Sequence, residues 1–102
     1  MLARYNAWVN DPLHRYAQDP EMQVNNLGYN LMNSNRIPDA ITIFQANVRA
    51  HPDSWNAWDS LGEGYANAHD RENSLKAYRK SVELNPENTG GQQMIERLEK
   101  LR

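Results

Sequence analysis

At 102 residues the chain has room for one domain and one core. Eleven Lys and Arg against thirteen Asp and Glu leave a net charge of −2, which excludes a general nucleic-acid binder carrying a basic field. There is no cysteine to cross-link the fold, and Val, Ile and Thr together number only ten, without the alternation a strand requires, so the expected class is all-α.

Residues 1–20 open the chain with Leu2, Tyr5, Trp8 and Val9 at helical spacing. Asp11-Pro12 interrupts them, and Leu13, Tyr16 and Ala17 form a second short stripe. This segment reads as one or two N-terminal capping helices, with Trp8 packed on the helix that follows, or as a junction helix to a preceding domain. It has no apolar run long enough for a signal peptide. Val24–Asn35, with five Asn and one Ser, is no membrane span, so the chain is expected to be soluble and to carry no address of its own.

Helices are then expected over about 21–34 and 37–50, with Pro38 suited to a first turn. Pro52-Asp53-Ser54 breaks the chain, with Asp53 as the expected N-cap. The next pair covers about 54–67 and 71–84, joined through His69-Asp70. Pro86 breaks again, and Asn88 or Thr89 caps a last helix. In it Met94, Ile95, Leu98 and Leu101 form one stripe, and Glu96 pairs with Lys100 at i, i+4.

Residues 21–54 align on 55–88 at an offset of 34. Leu27, Gly28, Asn33, Val48 and Pro52 fall on Leu61, Gly62, Asn67, Val82 and Pro86. Leu31 with Tyr65, Ile41 with Leu75, Phe44 with Tyr78 and Ala50 with Leu84 are conservative matches, all at positions expected to face inward. A mid-helix glycine costs about 1 kcal/mol relative to alanine. Gly28 and Gly62 nevertheless recur, each followed in its unit by a small residue, Ala40 or Ser74. The reading is a close approach of the two helices of an antiparallel hairpin. Gly64 has no counterpart and is expected to be tolerated or to mark a thin spot facing a neighbour.

The second unit reads Trp58, Leu61-Gly62, Tyr65, Ser74, Tyr78, Ser81, Pro86; the first reads Val24, Leu27-Gly28, Leu31, Ala40, Phe44, Asn47, Pro52. This spacing resembles the tetratricopeptide repeat (TPR). The resemblance implies two hairpin repeats, 21–54 and 55–88, with an N-terminal element over 1–20 and a solvating C-terminal helix over 89–102. Asn47 departs from the motif, standing where a small apolar residue is usual. The segment FQANVRAHPDSWNAWDSLGEGY further resembles repeat tails of bacterial serine β-lactamase-like and α/β-hydrolase proteins, in which Asn47 is a subgroup feature. That resemblance implies a tail docking on its own enzyme domain, or a homodimer through the first helix should residues 1–20 detach.

Catalytic signatures are missing: there is no G-x-S-x-G, S-x-x-K or H-E-x-x-H. His69-Asp70-Arg71-Glu72 reads as a solvated turn, because ligands from one tight turn converge poorly on a metal. His14 and His51 are isolated, and Gly62-Glu63-Gly64 lies inside a helix without free N–H groups for phosphate. Trp58 is read as core and Trp55 as packing on the preceding helix or lining an edge. The expectation is a non-enzyme without cofactor or metal, binding a protein or peptide.

In the family the first helix of each hairpin lines a concave groove. The matching positions here are Met22, Asn25, Tyr29, Met32 and Asn33, then Asn56, Asp59, Glu63, Ala66 and Asn67. None is Lys or Arg, which argues against the family's clamp for a C-terminal carboxylate. Asp59 and Glu63 lie four apart and favour a basic or neutral partner, and asparagine amides suit a peptide backbone.

Overall fold

The structure is a computed structural model that describes residues 20–100. The expected N-terminal helices, the packing of Trp8 and the contribution of Leu101 lie outside the described residues. Five helices follow one another: α1 Pro20–Asn33, α2 Ile37–Ala50, α3 Trp55–Asn67, α4 Arg71–Leu84 and α5 Thr89–Glu99. Each packs on its sequence neighbours, and α1 also touches α3. Among the described residues there is no strand, and no helix is long and apolar enough to cross a membrane.

The 34-residue period appears in the backbone itself. Arg36 N–H donates to the Leu31 carbonyl at 2.8 Å, and Asp70 N–H donates to the Tyr65 carbonyl at 2.9 Å. Asn35 and His69, 34 apart, both sit at positive φ, 64° and 62°. Their N–H groups donate to Met32 and Ala66. Each first helix of a hairpin thus ends in a Schellman motif, with a non-glycine residue in the left-handed position. The other ends repeat too: His51 N–H donates to Asn47 and Asn85 N–H to Ser81, both at 2.9 Å.

Helix starts follow side-chain capping chemistry. The N-cap of α3 is Ser54, not Asp53: its oxygen accepts the Ala57 N–H, while its hydroxyl donates to the Glu21 carboxylate. Asp53 lies one residue early, out of reach of the N2 and N3 amides that a cap must satisfy. Asp70 caps α4 and Asn88 caps α5. Pro38 occupies the first turn of α2.

One cluster buries Ala40, Phe44, Val48, Ala57, Leu61 and Ala77, joining α2, α3 and α4. A second, of Leu75, Tyr78 and Leu98, joins α4 to α5. The glycines face aromatic rings. A Cβ on Gly28 would lie 2.3 Å from Phe44, and one on Gly62 would lie 2.8 Å from Tyr78. The ring, sixteen residues on in each unit, occupies the volume a side chain would need. The small residue contributes as well, since Ser74 Oγ donates to the Gly62 carbonyl at 2.8 Å. Gly64 faces the preceding hairpin, where a Cβ would lie 3.0 Å from Phe44 and 3.3 Å from Ile41.

Two expectations are corrected: Ala50, expected to face inward, is exposed at the end of α2, and Trp58 lies at the margin of the core. Leu27 is 47% exposed, whereas its equivalent Leu61 is buried. Leu61 sits in the cluster shared with α2, the helix before its own; among the described residues α1 has no preceding helix. Trp58 is half-buried at the margin of the core, and its indole N–H donates to the Pro52 carbonyl at 2.8 Å. Asn47 is buried, yet its amide meets no hydrogen-bond partner. Its equivalent Ser81 donates to the Trp55 carbonyl at 2.8 Å. Trp55 itself lies at an edge, 38% exposed.

Candidate functional site

The first helices of successive hairpins are tied side by side. The Tyr29 hydroxyl on α1 donates to Glu63 Oε1 on α3 at 2.9 Å and lies 3.2 Å from Ser60 Oγ. Its ring meets Phe44 edge-on, with centroids 5.2 Å apart. Burial, followed by the repulsion of nearby carboxylates, pushes the Tyr29 hydroxyl up to about 12.

The next junction is built around Asn88. Its Oδ1 accepts the Gly91 N–H at the start of α5, while its Nδ2 donates to Asp59 Oδ1 at 3.1 Å and to Ser81 Oγ at 2.9 Å. One side chain thereby links α3, α4 and α5. The equivalent positions in the first unit are Ser54, Asn25 and Asn47. There Ser54 turns to Glu21 instead, and buried Asn25 leaves its Oδ1 without a partner.

Between α3 and α5 lies a cleft of about 460 Å³. Asp59, Glu63, Ala66 and Asn67 form one wall; Gly90, Gln93 and Met94 form the other, and Tyr78 lines it as well. None of the described residues that line it is Lys or Arg. Burial raises the Asp59 carboxyl above its ordinary value, opposed by the Asn88 hydrogen bond. Tyr78 is held higher still, by burial and then by the charges of Asp59 and Glu63.

Of the residues singled out from sequence, Asp59, Glu63, Ala66 and Asn67 therefore come together on one cleft. Tyr29 joins them through Glu63. Met32 packs against the core, Met22 and Asn56 are half-buried, Asn33 is exposed and Asn25 is buried. Sequence reasoning did not select Tyr78, Gln93 and Met94. Tyr78 was read as core only, and α5 as a solvating cap; treating α5 as a third first-helix, 34 residues after α3, would have found Gly90 and Gln93, the equivalents of Asn56 and Asp59.

No protein-family model matches the chain. It is 44% identical over 48 residues to human Superkiller complex protein 3, covering 47% of this chain and 3% of that one. It is 36% identical over 80 residues to the Escherichia coli O157:H7 formate-dependent nitrite reductase complex subunit NrfG, covering 76% of this chain and 32% of NrfG. Superkiller protein 3 of Schizosaccharomyces pombe is 35% identical over 74 residues, 72% of this chain and 5% of the relative. The chain thus spans a third or less of the length of these relatives, and the expected likeness to hydrolase tails gains no support from them. The hairpin stack and these similarities together support a TPR-like helical repeat.

Proposed function

We propose that the chain is a non-catalytic protein-interaction module that holds its partner on the face formed by α1, α3 and α5. The observation that carries this reading is the cleft between α3 and α5, where Asp59, Glu63 and Asn67 line one open space. Two of the relatives are named for protein complexes, which supports a protein as the partner. The cleft is lined by carboxylates and amides, with Arg97 and Lys100 of the α5 end outside its lining, so the group it suits is basic or neutral and not a C-terminal carboxylate. Met22, Asn33 and Asn56 extend the same face along α1 and the start of α3, while Asn25 is buried beneath it.

The test is affinity capture from the native host with Asn67→Arg/Gln93→Arg beside the parent chain. Both side chains are exposed at the cleft, and neither contributes to the core. A partner retained by the parent and lost by the pair supports the groove. A partner held equally by both contradicts it.

A further inference from the structure

The cleft between α3 and α5 holds three acceptor atoms without a donor. Tyr78 is only 3% exposed, yet among the described residues its hydroxyl has no hydrogen-bond partner. The ring is buried but the hydroxyl is not sealed from solvent, and the cleft is the open space that Tyr78 lines. Asp59 uses Oδ1 to accept from Asn88, and its Oδ2 receives no donor. Glu63 uses Oε1 to accept from Tyr29, and its Oε2 receives none. These three oxygens belong to residues lining one cleft of about 460 Å³, flanked by the apolar surfaces of Ala66 and Met94.

We infer that this cleft receives the protonated amine of a lysine side chain from the partner, an assignment that rests on the groove reading above. An ammonium carries three donors and no acceptor, one for each free oxygen. Its charge answers two carboxylates that face no cation in the cleft, and its methylene stem lies along Ala66 and Met94. Arginine fits less well. A guanidinium fork seeks both oxygens of one carboxylate, and here Asn88 and Tyr29 each occupy one of the pair.

The experiment is an NMR titration of the full chain with blocked Ala-Lys-Ala, and with the same tripeptide carrying arginine, norleucine or acetyl-lysine at the centre. Physiological salt suppresses unspecific attraction. The lysine peptide should saturate, moving the amides of Asp59, Glu63, Gln93 and Met94, with the norleucine and acetyl-lysine peptides about tenfold weaker or worse. Tyr78→Phe should fold normally and weaken the lysine peptide roughly three- to tenfold, an effect general electrostatics cannot give. Glu72→Gln, on the exposed start of α4, should leave binding unchanged.

Equal binding of the norleucine or arginine peptide would overturn the lysine assignment while leaving the groove reading in place. Indifference to Tyr78→Phe, equal loss in Glu72→Gln, or no shifts along the cleft would overturn the assignment as well. The groove reading itself stands or falls on the capture with Asn67→Arg/Gln93→Arg.

Discussion

The Tyr29 hydroxyl donates to Glu63 at 2.9 Å, and these two residues hold the same position in successive units, 34 apart. A repeat position thus binds its own copy one unit later. The tie fixes the spacing of α1 and α3 on the face proposed for a partner. It also removes one oxygen of Glu63 from competition for a ligand.

That bond gives the first expectation. Tyr29→Phe loses the hydroxyl's contacts to Glu63 and Ser60 and should cost about 1 kcal/mol at neutral pH. The pH dependence has a definite sign. A tyrosine raised from 10.0 to about 12 contributes stability that is complete below pH 10 and is lost as pH rises through 12. Tyr29→Phe should therefore soften the alkaline loss of stability in that window. Urea denaturation across it, with ultraviolet titration of tyrosinate, is the measurement; an identical alkaline limb in the variant contradicts the burial of Tyr29.

Asp59 provides the acid-side counterpart. Burial raises its carboxyl above 3.8, so its contribution to stability is present below that pH and is lost as pH rises through the folded value. Asp59→Asn keeps an oxygen for Asn88 and removes the titration. The stability of the variant relative to the parent should rise from about pH 3 to about pH 7 in urea denaturation. A fall over that range would mean that Asp59 is stabilised as a carboxylate.

The glycines separate packing from helix propensity. Alanine improves propensity by up to about 1 kcal/mol at each site. At Gly28 and Gly62 the new Cβ enters the rings of buried Phe44 and Tyr78, and the net change should be a loss of roughly 1–3 kcal/mol. Gly62→Leu should cost several kcal/mol, on the order of overpacking at its worst. At Gly64 the nearest atoms stand 3.0 and 3.3 Å away, so Gly64→Ala should lie nearer neutrality. Equal effects at Gly62 and Gly64 in chemical denaturation would refute the hairpin-packing account.

The two left-handed positions are targets for stabilisation. Asn35 and His69 hold positive φ inside Schellman motifs, where glycine is the commonest residue. Left-handed backbone costs a residue with a Cβ about 1–2 kcal/mol, less for asparagine. Part of that is returned by glycine's greater unfolded freedom. Asn35→Gly and His69→Gly should each raise the denaturation midpoint, His69→Gly by more. A lowered midpoint at His69 would show that its side chain makes a stabilising contact.

Much of this was legible because the fold is written in a short period. Gly28 repeated at Gly62, Phe44 matched by Tyr78, and the prolines at 52 and 86 identified helix pairs to within a residue or two of their observed ends, but the glycines were paired with Ala40 and Ser74 rather than with the rings they face. Caps were less legible where adjacent residues compete: Asp53 and Ser54 are both good N-caps, and only backbone geometry selects Ser54. Ala50 was misread because the helical stripe runs on to the last residue of α2, where, among the described residues, no neighbour covers it. The candidate site was half-legible. Asp59 and Glu63 follow from helical spacing, but the unpartnered hydroxyl of Tyr78 depends on three helices meeting, and a core position in a motif says nothing about its polar end.

The most direct test of the central claim, that α1, α3 and α5 present the partner-binding face, is site-specific photo-cross-linking in the native host. A photoreactive residue at exposed Asn67 or Gln93 samples the cleft, and one at exposed Lys76 samples α4 away from it. The account predicts that one protein is captured from Asn67 and from Gln93 and not from Lys76. Capture of that protein from Lys76 alone would contradict it and move the partner to the other side of the stack.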